Sequence, residues 1–290
     1  MSHSSKIPLV SVVMTVYNTE AFLPASIESI LNQTLNDFEF IIVDDGSTDN
    51  SLTIINNYAK SDDRITVLQQ KNQGISRAAN AGIHIATGTF IARMDSDDIS
   101  RSDRLEKQSE FLCNNPKVVA VGSWFNTVNS SGSTIPATKF GVNDSSVIET
   151  PIEHTAIDTK LLSGGLAISH PSSMIRRDAI RSLGGYKVEY VTSEDRDLFL
   201  RLSEIGSIHN LEDVLLSYRI REGQVSSFHH VRQQYYSVLA RRSAYRRRRL
   251  IIPDVLSFNR LFRLKVRLIL TRLGLYDKYL YANRYLSRFT

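Results

Sequence analysis

The sequence predicts an α/β fold: a doubly wound, mostly parallel sheet with a basic helical appendage at its C-terminal end. Three observations predict it. Through the first hundred residues, short β-branched apolar runs alternate with segments of helical spacing. Polar clusters fall at the carboxyl ends of three of those runs: Thr15-Val16-Tyr17, Asp44-Asp45-Gly46-Ser47 and Asp95-Ser96-Asp97-Asp98. Charge is divided along the chain. Residues 229–290 hold 15 Lys/Arg against 2 Asp/Glu, a net of +13, and residues 1–228 hold 20 against 28, a net of −8, giving the overall +5 of the 290-residue chain. The expected division is a domain over 1–228, with halves at about 8–100 and 101–228, and a basic helical region over 229–290.

The elements follow in order. Residues 8–16 are short, β-branched and almost continuously apolar, the pattern of a strand buried on both faces. Phe22, Ile27, Ile30 and Leu31 space a helix over 21–33. A strand over 38–43 leads to a helix over about 49–60, capped by Ser47 or Thr48. A third strand (65–68) precedes a helix over 75–86, with Gly88 as its C-cap. The fourth strand, 89–93, delivers the Asp cluster. A helix over 102–114 ends before Pro116, and 118–128 reads as one or two strands carrying Trp124. Residues 129–155, rich in Ser, Thr, Gly and Pro, read as loop. Beyond them come a helix near 157–162, the His170-Pro171-Ser172 segment, a short helix ending at Gly184-Gly185, an amphipathic helix from Ser193, and a strand over 214–218.

Composition bounds the rest. Hydrophobic residues make up 42% of the chain, enough for a core, and no apolar run reaches the length of a spanning helix. The N-terminus lacks the apolar stretch of a secretory signal. The single cysteine, Cys113, excludes an intramolecular disulfide, fits a reducing cytoplasm and reads as a small apolar residue on a helix.

Ligands of doubly wound sheets bind outside the carboxyl ends of the strands, so the acid-rich edge is where function is expected. Massed carboxylates repel one another unless a cation is supplied. Asp95 and Asp97, two apart on an extended backbone, point to the same side. Oxygen-only ligands suit Mg²⁺ or Mn²⁺, which bring substrate phosphates as further ligands. Asp98 reads as a cap for the 102–114 helix, His170 as an acceptor contact or a hydrogen-bonded structural residue, and Trp124 as core or a sugar-stacking ring.

Together, Val10-Ser11-Val12-Val13-Met14-Thr15-Val16-Tyr17-Asn18, Ile42-Val43-Asp44-Asp45-Gly46-Ser47-Thr48-Asp49, Asn72-Gln73-Gly74, Ala92-Arg93-Met94-Asp95-Ser96-Asp97-Asp98, His170-Pro171-Ser172 and Glu194-Asp195-Arg196-Asp197-Leu198 resemble, in order and spacing, the inverting family 2 glycosyltransferases of the GT-A fold. The resemblance covers about residues 8–226. It implies that Thr15, Val16, Tyr17, Asp44 and Asp45 hold the base and ribose of a nucleotide-sugar, with Gly74, Arg77 and Ser96 on the donor side. It implies that Asp95 and Asp97 hold the ribose and a divalent ion, and that Asp195 is the general base. His170, Trp124 and Glu194 then fall on the acceptor side. Two positions depart from the family. Ala79 stands where relatives often have Arg, with Arg77 the nearest arginine, and Arg221 stands where relatives often have His, leaving His229 and His230 as candidate substitutes.

The resulting expectation is a Mn²⁺- or Mg²⁺-dependent transfer of a sugar, UDP-linked, to a glycan or lipid-linked acceptor in cell-surface polysaccharide synthesis. A nucleotidyltransferase and a non-catalytic nucleotide-sugar-binding protein are the alternatives. The basic tail, with Leu256, Leu261, Leu264, Leu268 and Ile269 among Arg260, Arg263, Lys265, Arg267 and Arg272, reads as an element for an anionic membrane surface or as a helical appendage on the body. No nucleic-acid motif accompanies it. The expected location is cytoplasmic, peripheral at the inner face of the membrane.

Overall fold

A computed structural model describes residues 7–221, 230–273 and 275. The chain begins with the expected alternation: β1 (Val10–Val16), α1 (Leu23–Leu31), β2 (Phe38–Asp44), α2 (Ser51–Ser61), β3 (Ile65–Gln69), α3 (Ile75–Ile85) and β4 (Phe90–Asp95). It continues with β5 (Ile99–Ser100), α4 (Arg104–Asn114), β6 (Val118–Val128), β7 (Val147–Ile148), α5 (His154–Ser163), β8 (Met174–Arg176), α6 (Arg177–Ser182), α7 (Glu194–Leu202) and β9 (Ser207–Arg219). Two helices follow, α8 (His230–Arg247) and α9 (Phe258–Arg272).

One sheet runs through the molecule in the order β3-β2-β1-β4-β8-β6-β9-β5, with β7 hanging on β6. The first four strands are parallel, and Thr15 of β1 lies in register with Val43 of β2 and Asp95 of β4. β1 is buried along nearly its whole length because helices cover both sheet faces. On one face, Leu23, Ile27 and Ile30 of α1 recur at i, i+4 and i+7 and bury against it. On the other, α3 presents Ala78, Ala79, Gly82 and Ile83. A Cβ on Gly82 would lie 2.6 Å from Val13 Cγ1, so that close approach requires glycine.

The second half departs from a purely parallel sheet. β8 runs antiparallel to both β4 and β6 and joins the two halves. At three residues it is too short to show a period in the sequence. β9 extends from Ser207, well before the expected 214, and pairs parallel with β6. Inside the expected loop, β7 pairs with β6, and a 3₁₀ turn spans Thr138–Phe140. Gly88 is not the α3 cap: the helix ends at Ile85, and Gly88 instead abuts β1, donating its N–H to Ser11 Oγ at 2.8 Å. Cys113 lies on α4 as expected but is exposed.

The basic segment packs onto the body. Ala240 and Ala244 of α8 are fully buried in the cluster that holds Leu198 and Phe199 of α7. Arg247 and Arg248 pair with Glu204, and Arg248 with Asp158. α9 packs back on α8 through Val238, Leu256 and Leu264. Among the described residues, no helix is long and apolar enough to cross a membrane.

Candidate active site

The acid cluster forms where β4 ends at the sheet edge. Asp95 Oδ1 pairs with Arg93 at 2.7 Å, and Asp97 Oδ2 with Arg221 Nε at 2.7 Å. Asp98 is fully buried and accepts the Arg219 N–H at 2.8 Å, tying β4 to β9. It therefore does not cap α4, whose N-cap is Asp103. Burial and the neighbouring Asp97 push the Asp98 carboxyl well above the usual range, and burial raises Asp95.

Arginines offset the clustered charge from below and beside. Arg93 is 2% exposed and also donates to Thr15 Oγ1 and to the Met94 carbonyl. Arg104, fully buried, donates to the Arg93 carbonyl at 2.8 Å. Arg219 donates to the Asp97 carbonyl and, like Arg221, lies over the Phe22 ring. The cation demanded by massed acids is thus met in part by guanidinium groups. Sequence reasoning gave Arg93 and Arg104 no role, because a buried arginine in a strand or a helix start looks like an exposed one until the fold is known.

The β1 and β2 ends are knitted together. Asn18 takes a left-handed φ of 52°, and its Oδ1 accepts the Thr48 N–H while its own N–H meets Ser47 Oγ. Thr19 Oγ1 donates to Ser96 Oγ at 3.0 Å, linking this turn to the acid cluster. Asp44 is buried and accepts from Ser47 N–H, and the Val16 carbonyl accepts the Asp45 N–H. Asp45 accepts the backbone N–H groups of Gln73 and Gly74 at 2.9 and 2.8 Å, and the Gln70 side chain at 2.6 Å. It therefore fixes the α3 entry, where Gly74 has φ 89°. Gly46 (φ 77°) lets this loop approach: a Cβ there would sit 2.7 Å from Asn72 N. Tyr17 is 49% exposed at the mouth. Arg77 is exposed on α3, and no contact recorded for it joins the acids.

The start of α7 belongs to the same site. Asp195 acts on the charge of Asp95, and Arg93 and Asp95 act on Glu194. Glu194, Asp195 and Asp197 occupy the first helical turn, where the helix dipole favours carboxylates. The preceding Thr192 has φ 65°, a left-handed conformation costing about 1–3 kcal/mol for a branched residue. Arg201 holds the helix in place: it pairs with Asp197 at 2.7 Å and donates to the Leu183 and Gly185 carbonyls.

That clamp positions Tyr186, whose hydroxyl meets His170 Nε2 at 2.6 Å. Asn80 grips the Tyr186 backbone from both sides, at 2.8 Å each. Burial drives His170 well below its usual value and Tyr186 above it, and the charges of Glu194, Asp195 and Asp95 reach the phenol. His170 is therefore a neutral, hydrogen-bonded member of the site. The sequence signal for Tyr186 and Asn80 was only the Gly184-Gly185 turn, and it was read as a helix end. Trp124 donates its indole N–H to the Thr150 carbonyl at 3.0 Å, an anchoring contact between β6 and the loop after β7. His229 lies outside the described residues, and the side chain of His230 is likewise not described.

Glu194 is buried, and its Oε2 lacks a partner; burial and Asp195 push its pKa up to about 8. Between the ordinary value of 4.5 and about 8, the folded chain keeps this proton while the unfolded chain loses it. Stability from this group is therefore complete at acid pH and lost as pH rises through that window. Glu194→Gln, which mimics the protonated acid, should raise Tm by about 3 °C at pH 8.5 and leave it unchanged at pH 4. Thermal melts at the two pH values check this.

The family model described as Glycosyl transferase family 2 matches residues 11–184. The O-antigen biosynthesis glycosyltransferase WbnJ of Escherichia coli is 34% identical over 216 residues, covering 73% of this chain and 80% of that protein. Among solved structures, S. aureus TarS 1–349 in complex with UDP-GlcNAc superposes with a TM-score of 0.63 at 20% identity, over 80% of this chain and 66% of that one. The mannosyltransferase PcManGT from Pyrobaculum calidifontis, in complex with GDP-Man and Mn²⁺, gives 0.64 at 16% identity, over 98% and 76%. At these identities the two structures establish the fold alone.

Proposed function

Because the chain belongs to glycosyl transferase family 2 and is a glycosyltransferase, we propose that it moves a sugar from a nucleoside diphosphate donor, UDP in the first instance, to an acceptor hydroxyl with inversion. The observation that carries this reading is the convergence of Asp95, Asp97 and Asp195 at one sheet edge beside the β1 and β2 turns. The β1 and β2 turns with Asp45 and Gly74 form the donor side. The His170–Tyr186 pair and the start of α7 form the acceptor side.

A divalent cation fits the residues present. Asp95 and Asp97 each keep one carboxylate oxygen beyond the arginine pair, and oxygen donors suit Mg²⁺ or Mn²⁺. Among the described residues no cluster of three acid, His or Cys side chains forms a cage, so the donor diphosphate would complete the coordination. When bound, the ion neutralises the charge that develops on the departing diphosphate. Arg221, standing where relatives often carry His, brings a fixed positive charge to the same place.

The protein's own groups account for the other half of the reaction. An acceptor hydroxyl is a weak nucleophile until a carboxylate takes its proton. Glu194 keeps its own proton near neutral pH, which leaves its neighbour Asp195 for that role. Attack from the side opposite the diphosphate inverts the anomeric carbon. The relative in O-antigen biosynthesis supports a cell-surface glycan acceptor, glycan- or lipid-borne, and the location proposed with it is the cytoplasmic face of the membrane. Neither the nucleotidyltransferase nor the non-catalytic alternative draws support from a specific observation.

Calorimetric titration of UDP tests the donor reading. Binding in Mn²⁺ that weakens at least about tenfold, or about 1.4 kcal/mol, in EDTA is expected. Absence of UDP and GDP binding under both conditions would remove it.

A further inference from the structure

The outer face of α9 carries apolar side chains that nothing among the described residues covers. Phe258, Phe262, Ile269 and Leu273 are exposed at 67, 58, 47 and 63%. Their spacing of i, i+4, i+11 and i+15 gathers them within about 60° of the helix circumference. Val255, 52% exposed, precedes the helix in line with them. A different face, about 120° round the helix, holds Leu261, Leu264 and Leu268, and Leu261 and Leu264 pack in the cluster with Val238 of α8. This stripe is therefore a second apolar face and not an extension of the core.

Cations flank the stripe on both sides. Lys265 borders it directly on one edge, and Arg263 lies about 80° beyond the other, both exposed. Over residues 230–275 the chain has twelve Lys/Arg and a single acid, Asp254. Arg247 at the end of α8 and Arg248 just after it meet acids on the body side, against Glu204 and Asp158. Arg263 and Lys265 of α9 are exposed and face away from those acids.

From this geometry we infer that α9 is an interfacial helix: Phe258, Phe262, Ile269 and Leu273 seat in an anionic phospholipid surface while Lys265 and Arg263 pair with the headgroups. Charge complementarity selects the occupant. A second copy would set cationic borders against cationic borders, whereas anionic lipid receives both the stripe and its rims. The helix lies on the bilayer and does not cross it, since it is cationic throughout and short of a spanning element. The inference deepens the membrane part of the proposed function and rests on it in that respect alone.

The test is co-sedimentation of the full-length protein with vesicles made of equal parts phosphatidylglycerol and phosphatidylcholine, against vesicles of phosphatidylcholine alone. Wild type should sediment with the former and not the latter, and release with added salt. Phe258→Ser with Phe262→Ser should weaken vesicle binding at least about tenfold at unchanged Tm, because both rings are exposed. Arg263→Glu with Lys265→Glu should abolish it. Failure of wild type to bind anionic vesicles would overturn the inference, as would binding indifferent to the phenylalanine pair. So would light scattering that shows a dimer dispersed by that pair, which would assign the stripe to a second copy. Vesicle binding that appears only after deletion of residues 276–290 would assign it to the chain's own end. UDP titration of each variant keeps this outcome separate from the donor reading, because none of these residues belongs to the acid site.

Discussion

Asp195→Asn should lower kcat for sugar transfer by about 10³ while UDP affinity stays within about twofold. The amide keeps the side chain's size and can still accept the Arg196 N–H that Asp195 Oδ1 accepts at 2.7 Å, so the α7 start should fold unchanged. What the amide loses is the capacity to take a proton. Glu194, next in the chain, cannot replace it readily: its pKa of about 8 keeps it protonated at neutral pH. The measurement is single-turnover transfer with donor binding measured in parallel. Full activity in Asp195→Asn together with a collapse in Glu194→Gln would move the base to Glu194.

The second large effect concerns Asp97→Asn. Donor affinity in Mn²⁺ should fall about 100-fold, equivalent to about 2.7 kcal/mol, because the carboxylate oxygen proposed to face the metal is lost. Affinity in EDTA should hold or rise, since the same substitution removes an anion from beside the diphosphate and loosens the Arg221 Nε contact. The mutation should thus erase the difference between the two titrations rather than weaken both equally. An equal loss in Mn²⁺ and EDTA would make Asp97 a structural residue of the β4–β9 junction.

The parallel half of the fold was legible because its strands are buried on both faces and its helices carry a clear apolar period, as β1 and α1 do. The motif residues at the strand ends could be read for the same reason: a strand of known direction fixes which end carries Asp44, Asp45 and Asp95. What the sequence concealed is non-local. β8 is a three-residue strand whose neighbours lie more than fifty positions away, and β6 and β9 pair across register shifts that disrupt any simple period. The Asp98 carboxyl went to a backbone N–H 121 residues downstream, which spacing cannot reveal. Asp45 shows a related limit. Its position was read as donor-binding, yet its oxygens also organise the Asn72–Gly74 loop, a role visible only once β2 and α3 lie side by side.

Ser193, at the start of the helix that bears Asp195, donates its hydroxyl to the Gln233 carbonyl of α8 at 3.1 Å. For protein engineers who recombine transferases, this contact moves the natural seam. The change in charge near residue 229 invites a cut there, but a chimera joined at that point would place a foreign backbone under the α7 start and foreign side chains where Ala240 and Ala244 fill the core. Pro253, after α8 has ended, is the position at which a borrowed C-terminal helix can be spliced without disturbing the carboxylate proposed as the base.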